Sequence, residues 1–187
     1  MSDHTSDDTQ HGPVIVVSGA PGVGKSTVSH LVASAFDHSV HLRADGFMAS
    51  IVSGWLDPNL AEASAQNESV GGALAVSAMS FAGDGYTTVV DGFLFPDGVA
   101  GLAAACTARD LACHYVVLTA DFETCWARAG SRGEGRWPLE HAPFAAVHAK
   151  FAAVALPERH LVDATGSAQS TSDAVLSAYR SDRLRMS

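Results

Sequence analysis

Lysine is nearly absent from this chain: only Lys25 and Lys150 occur, against nine arginines. A solvated-surface role is therefore a weak explanation for a lysine found in a glycine-rich loop. Positive charge is scarce in general, with 11 Lys and Arg against 20 Asp and Glu, for a net charge of −9. That balance excludes a long nucleic-acid partner, because phosphate backbones are held by basic surfaces. It leaves room for a phosphate pocket, where a few local donors suffice. Cysteine is limited to Cys106, Cys113 and Cys125, with neither C-x-x-C nor zinc spacing. Buried, reduced thiols are expected rather than a disulfide framework or a metal centre. The nine histidines are scattered, and His38 and His41 have no second ligand pair beside them. No apolar run reaches the roughly 18 residues of a membrane span. The first residues lack a basic-then-apolar signal pattern. No membrane partner and a cytoplasmic location are the expectations.

At 187 residues and 47% hydrophobic composition, the chain fits one domain with a substantial core. Residues 1–12 are polar and acidic and read as a disordered leader. Residues 13–187 read as a single domain without internal repeats. Short apolar runs at 14–18, 39–44, 86–91, 114–119 and 160–163 read as strands. Helical segments alternate with them at 27–36, 60–81, 99–109, after a cap at Asp121, at 139–154 and at 172–183. A weaker helix runs to about residue 52, and Gly71-Gly72 is a possible break in the long one. Strands buried on both faces and alternating with helices imply an open parallel α/β sheet, a three-layer sandwich.

The organising stretch is Gly19-Ala20-Pro21-Gly22-Val23-Gly24-Lys25-Ser26, followed by Thr27. It is G-x-x-x-x-G-K-S between a buried strand and a helix, the setting this phosphate loop requires. Glycines let backbone N–H groups approach a phosphate closely, and the helix N-terminus adds donors and partial positive charge. Lys25 would reach the β- and γ-phosphates and the Ser26 hydroxyl would ligate Mg²⁺. A nucleoside triphosphate, ATP with Mg²⁺, is the expected ligand.

In such a sheet ligands lie beyond the carboxyl ends of the strands. Asp45 after the second strand, Asp91 after the third, and Thr165-Gly166 after the fifth all fall on that edge. Asp91 is either a second Mg²⁺ ligand, direct or through water, or a turn former before Gly92. Asp45 is either the base that orients an acceptor hydroxyl and takes its proton, or a turn acid before Gly46. Arg128, Arg132 and Arg136 stand in a segment with Gly130, Gly133 and Gly135. Either they form a closing flap at about 128–138 that neutralises the γ-phosphate, or they are ordinary arginines of a solvated loop. Phe47, Met48 and Trp55 offer an apolar wall for an acceptor pocket, with Gln66 and Asn67 as hydrogen-bonding groups.

With these residues in place, the chain resembles the small P-loop kinases of metabolites and antibiotics: gluconate, shikimate and adenylylsulfate kinases, and most of all chloramphenicol phosphotransferase. The resemblance rests on Gly19 to Thr27, on Asp45 and on Asp91-Gly92-Phe93, and its order and spacing extend over residues 13–179. It implies a five-stranded sheet in the order 2-3-1-4-5, an Arg-bearing lid, an adenine-binding turn near 163–167, and Asp45 as catalytic base. It also implies transfer of the γ-phosphate of ATP to a small-molecule hydroxyl by a monomer or homodimer. Where gluconate and adenylylsulfate kinases carry two acids, Arg43-Ala44-Asp45-Gly46 offers one, and no shikimate-type arginine pair is present. A nucleoside, nucleotide or peptidoglycan-sugar acceptor stays open as the rival reading. A GTPase switch is disfavoured because no Asn-Lys-x-Asp segment exists, and a regulatory or remodelling ATPase because Gly92, not an acid, follows Asp91.

Overall fold

The computed structural model describes residues 11–131 and 140–186. Its centre is β1 (Val14–Gly19), whose residues are all buried, flanked on both sides by parallel strands. β3 (Thr87–Asp91) and β2 (Ser39–Arg43) lie on one side of it. β4 (Cys113–Thr119) and β5 (Leu161–Asp163) lie on the other, giving the order β2-β3-β1-β4-β5. The strand order implied by the resemblance is thus the order observed, with helices on both faces. Val, Ile and Thr dominate β1 and β3, and β-branched side chains suit strands covered on both faces. β2 is an edge strand and only half-buried.

The helices are α1 (Lys25–Ala33), α2 (Ala44–Ala49), α3 (Ser64–Gly83), α4 (Pro96–Thr107), α5 (Phe122–Gly130), α6 (His141–Ala152) and α7 (Ala168–Arg180). α5 begins at an Asp121 cap, whose Oδ1 accepts from the Thr124 amide at 2.8 Å. Gly71 and Gly72 do not break α3, which runs through both positions. Its second half carries Leu74, Ala78, Met79 and Ala82 into the core, and this packing outweighs the propensity cost of two glycines. The second strand ends at Arg43, one residue earlier than the sequence pattern suggests, and Asp45 stands in the first turn of α2 rather than at a strand end. A further element was not visible in the sequence. Residues 184–186 return along β4, with Tyr115 N donating to Leu184 O at 2.9 Å and Met186 N to Cys113 O at 2.9 Å. They cover the part of the β4 edge that the three-residue β5 leaves open. All three cysteines are free and buried, as expected. No helix among the described residues is long and apolar enough to cross a membrane.

Candidate nucleotide and acceptor site

The chain leaves β1 at Gly19 and enters α1 at Lys25 through the glycine loop. Gly22 has φ +76°, and a Cβ there would collide with the Cys125 carbonyl of α5. Gly24 has φ +106° and caps α1, and a Cβ there would point into open space. No side chain caps α1 and no acid stands in its first turn. The N–H groups at this helix end therefore face the loop, a donor set suited to an anion. The residues present fit a bound triphosphate.

Lys25 Nζ donates to Gly19 O and Ala20 O, each at 2.9 Å, and lies 4.1 Å from the centre of the Phe93 ring. Ser26 and Asp91 come together. Burial pushes the Asp91 carboxyl up, but hydrogen bonds from His41 and Ser26, with the charges of His41 and Lys25, outweigh it and hold its pKa below the usual value. His41 Nε2 is 3.2 Å from Asp91 Oδ2, and both side chains are largely buried. A carboxylate kept ionised beside a hydroxyl is the chemistry of a Mg²⁺ shell, and Ser26 with Asp91 would hold that ion. No cluster of three or more His, Cys, Asp or Glu side chains with metal-site geometry occurs among the described residues.

The opposite side of the loop is a cavity of about 340 Å³ bounded by Val23, Gly24, Thr27, Arg128, Gly166 and Thr171. Arg128 organises it. Its guanidinium donates to Ala164 O at 2.7 Å, Thr165 O at 2.9 Å, Gly166 O at 3.0 Å and Val23 O at 3.4 Å. The expectation that Arg128 belongs to a flap is corrected: it sits in the last turn of α5 and ties the turn after β5 to the phosphate loop. Arg132 and Arg136, and most of the expected lid, lie outside the described residues. Thr165 turns its amide and hydroxyl onto Asp163, at 3.0 and 2.9 Å, so its carbonyl and that of Gly166 are what Arg128 meets.

Asp45 is exposed on α2. Its neighbour Ala44 packs against the backbone of Gly92, where an added Cβ would come within 2.6 Å of the Ala44 methyl. Two contacts, Lys25 with Phe93 and Gly92 with Ala44, thus join the phosphate loop, the end of β3 and the start of α2, where Asp45 follows Ala44 in the chain. Beyond it, Phe47 lines a groove between α2 and α3. Trp55 does not line that groove. Gln66 Oε1 accepts from Leu56 N at 2.8 Å and its Nε2 donates to Leu56 O at 2.8 Å, while Asn67 Nδ2 donates to Pro58 O at 2.9 Å. These two amides hold the 56–58 loop in place; Gln66 also lines the groove, and Asn67 does not. Two participants escaped the sequence reading: His41, whose partner is 50 residues away, and Phe93 over Lys25.

A protein-family model described as an AAA domain matches residues 14–157, well over half of the chain. The chain belongs to the AAA-domain family. No curated protein matches this AAA-domain chain in sequence. Among solved structures it is similar to a gluconokinase from Sinorhizobium meliloti, at 14% identity and TM-score 0.61, over 93% of this chain and 95% of that one. It is also similar to a sugar kinase from Janibacter sp., at 18% identity and TM-score 0.65, over 90% and 95% of the two chains. An APS kinase from Mycobacterium tuberculosis, solved with AMPPNP and APS, matches at 16% identity and TM-score 0.65, over 91% and 98%. This AAA-domain protein therefore has the fold of the small P-loop kinases.

Proposed function

We propose that this protein is an ATP-dependent kinase that transfers the γ-phosphoryl group to a hydroxyl of a small molecule. The observation that supports the reading is the pair of contacts between the phosphate loop, the end of β3 and the start of α2: Lys25 over the Phe93 ring, and Gly92 against Ala44, the residue before Asp45. The loop amides and Lys25 hold the phosphates, and the nucleoside end occupies the cavity walled by Arg128 and Gly166. Mg²⁺, held by Ser26 and Asp91, would neutralise phosphate charge. His41 fixes the Asp91 carboxylate from the other side. Asp45 accepts the proton of the acceptor hydroxyl as its oxygen bonds to the γ-phosphorus and the bond to the β-phosphate oxygen breaks, leaving ADP. Arg132 and Arg136 are proposed to neutralise the γ-phosphate during transfer. The work takes place in the cytoplasm, with a small molecule and not a nucleic acid as partner.

Asp45→Asn tests the reading, because it keeps shape and a hydrogen bond while removing the proton acceptor. ADP formation in the presence of acceptor should fall about 10²–10⁴-fold, in kcat more than in KM, with ATP affinity nearly unchanged. Unaltered turnover would leave Asp45 a turn acid. Loss of Mg²⁺-ATP binding itself would move Asp45 into the metal shell.

A further inference from the structure

The residues that follow β3, Gly92 to Phe95, are fastened to the core from both sides. Ser18 Oγ of β1 donates to Gly92 O at 3.2 Å and accepts from Leu94 N at 3.1 Å. Tyr115 Oη of β4 donates to Leu94 O at 2.7 Å. Ser18 and Tyr115 are fully buried. A buried hydroxyl is costly unless it is bonded, and both of these are committed to this one turn. Phe95 stacks on Phe151 of α6, with ring centres 4.5 Å apart and planes at 18°. Between these anchors stands Phe93, whose ring is not buried with them. It is 45% exposed, and its centre lies 4.1 Å from Lys25 Nζ.

A ring left nearly half in water forgoes part of its hydrophobic gain, so its tilted approach to Phe151, at 6.2 Å and 47°, is a weak account of its place. A ring face within about 6 Å of an ammonium attracts it through the ring quadrupole. Gly19 O and Ala20 O draw the same ammonium toward the base of the loop. A carboxylate in the position of the ring would hold the ammonium more tightly but would repel a phosphate, whereas a ring attracts the cation and carries no net charge. We infer that Phe93 is a positioning residue, whose ring face keeps the Lys25 side chain in the rotamer that meets a triphosphate, before the nucleotide arrives and after. A free lysine stem samples many rotamers, and ordering it on binding subtracts from affinity. Phe93 lowers that cost by ordering the stem beforehand. The inference rests on the phosphate-loop part of the kinase reading and is independent of the acceptor.

Because Lys25 and Lys150 are the only lysines, the full chain grown with isotope-labelled lysine gives NMR ε-methylene signals from two residues, and Lys25→Arg identifies which is which. Lys150 is exposed on α6 and serves as the reference. The ring current of Phe93 should move the Lys25 ε-protons upfield of those of Lys150. Phe93→Leu, which keeps apolar bulk but has no ring face, should abolish that displacement, and Phe93→Tyr should keep it. Affinity for the non-hydrolysable ATP analogue AMPPNP with Mg²⁺ should weaken about threefold to tenfold in Phe93→Leu and stay near wild type in Phe93→Tyr. A ring that serves packing alone would leave the two variants alike in affinity, and that result overturns the inference. So does a wild-type Lys25 signal without the upfield displacement. Tighter AMPPNP binding in Phe93→Leu overturns it too, since the ring would then hold the lysine away from the phosphates. Failure of the phosphate-loop reading looks different: Lys25→Ala would bind AMPPNP as the wild type does, and both readings would fall. Turnover plays no part in these measurements, so a chain that meets them yet phosphorylates no acceptor counts against the kinase reading alone.

Discussion

Replacing Arg128 with alanine separates two roles that the sequence alone left open. In the structure one guanidinium bonds four backbone carbonyls, three of them in the turn after β5 and one at Val23 in the phosphate loop. A hydrogen bond to a charged group contributes about 1.5–3 kcal/mol when well formed. The four do not add, because they share one side chain and because Thr165 and Gly166 are exposed, where water competes. Ala164 is 2% exposed, and its carbonyl is the acceptor that solvent replaces least readily. A total loss of about 2–3 kcal/mol is expected. For a domain of 150–250 residues that lowers the melting temperature by about 5–10 °C. ADP affinity should weaken about tenfold, since the turn that walls the nucleoside cavity is no longer held to the loop. Arg128→Lys should fall between, because an ammonium on a flexible stem cannot reach the same spread of carbonyls. Thermal melts and ADP titrations on the same preparations read both effects. If Arg128→Ala melts within a degree of wild type and binds ADP normally while turnover collapses, the arginine acts on the transferring phosphoryl group, and the structural argument is wrong.

Lys25→Ala should remove about 3–4 kcal/mol of transition-state stabilisation, seen as near-complete loss of ADP formation, while costing about 1–2 kcal/mol of stability for the two part-buried carbonyl bonds, which share one ammonium; normal turnover would remove the phosphate-loop reading. Gly22→Ala should destabilise by more than about 2 kcal/mol in urea unfolding, because a Cβ meets the Cys125 carbonyl and φ is +76°. His114 is buried, and burial pushes its pKa below the ordinary value of about 6.5. Its neutral form is favoured by folding, so stability is full above about pH 6.5 and falls as pH drops through that value toward the folded pKa. Stability measured from pH 7.5 to 5 should show that slope, and His114→Gln should flatten it.

The parts legible in the sequence are those whose partners are close in the chain. The phosphate loop is contiguous from Gly19 to Thr27, so its glycines, its lysine and its following helix could be read in one stretch. The strand runs were legible because β1 and β3 are buried on both faces, β1 as the unbroken apolar run Val14–Val17 and β3 as a β-branched run of two Thr and two Val. Arg128 was not legible, because its value depends on carbonyls 36–38 residues later that only tertiary packing brings near. The same limit applies to Gln66 and Asn67: an amide's sequence position does not say whether it serves a ligand or the loop beside it. The boundary of β2 was misjudged because Arg43-Ala44-Asp45 has no strong stop, and the contact of Ala44 with Gly92 decides where α2 starts.

His41 shows what would have been needed. Judged as a metal ligand, it failed, since no second ligand pair accompanies it. Its partner is instead a carboxylate across the sheet. In the parallel pairing of β2 with β3, His41 stands opposite Val89 and Arg43 opposite Asp91. Residues two apart on a strand share a face, so Asp91 is the diagonal neighbour of His41 on that face, a gap that an imidazole can span. Once the order β2-β3-β1 is known, the pair follows from counting alone. The hydrogen bond at 3.2 Å is thus a consequence of register, in which Val40 stands opposite Thr88 and Leu42 opposite Val90 on the other face. The same core pattern that builds the sheet thereby aims the Asp91 carboxylate toward Ser26.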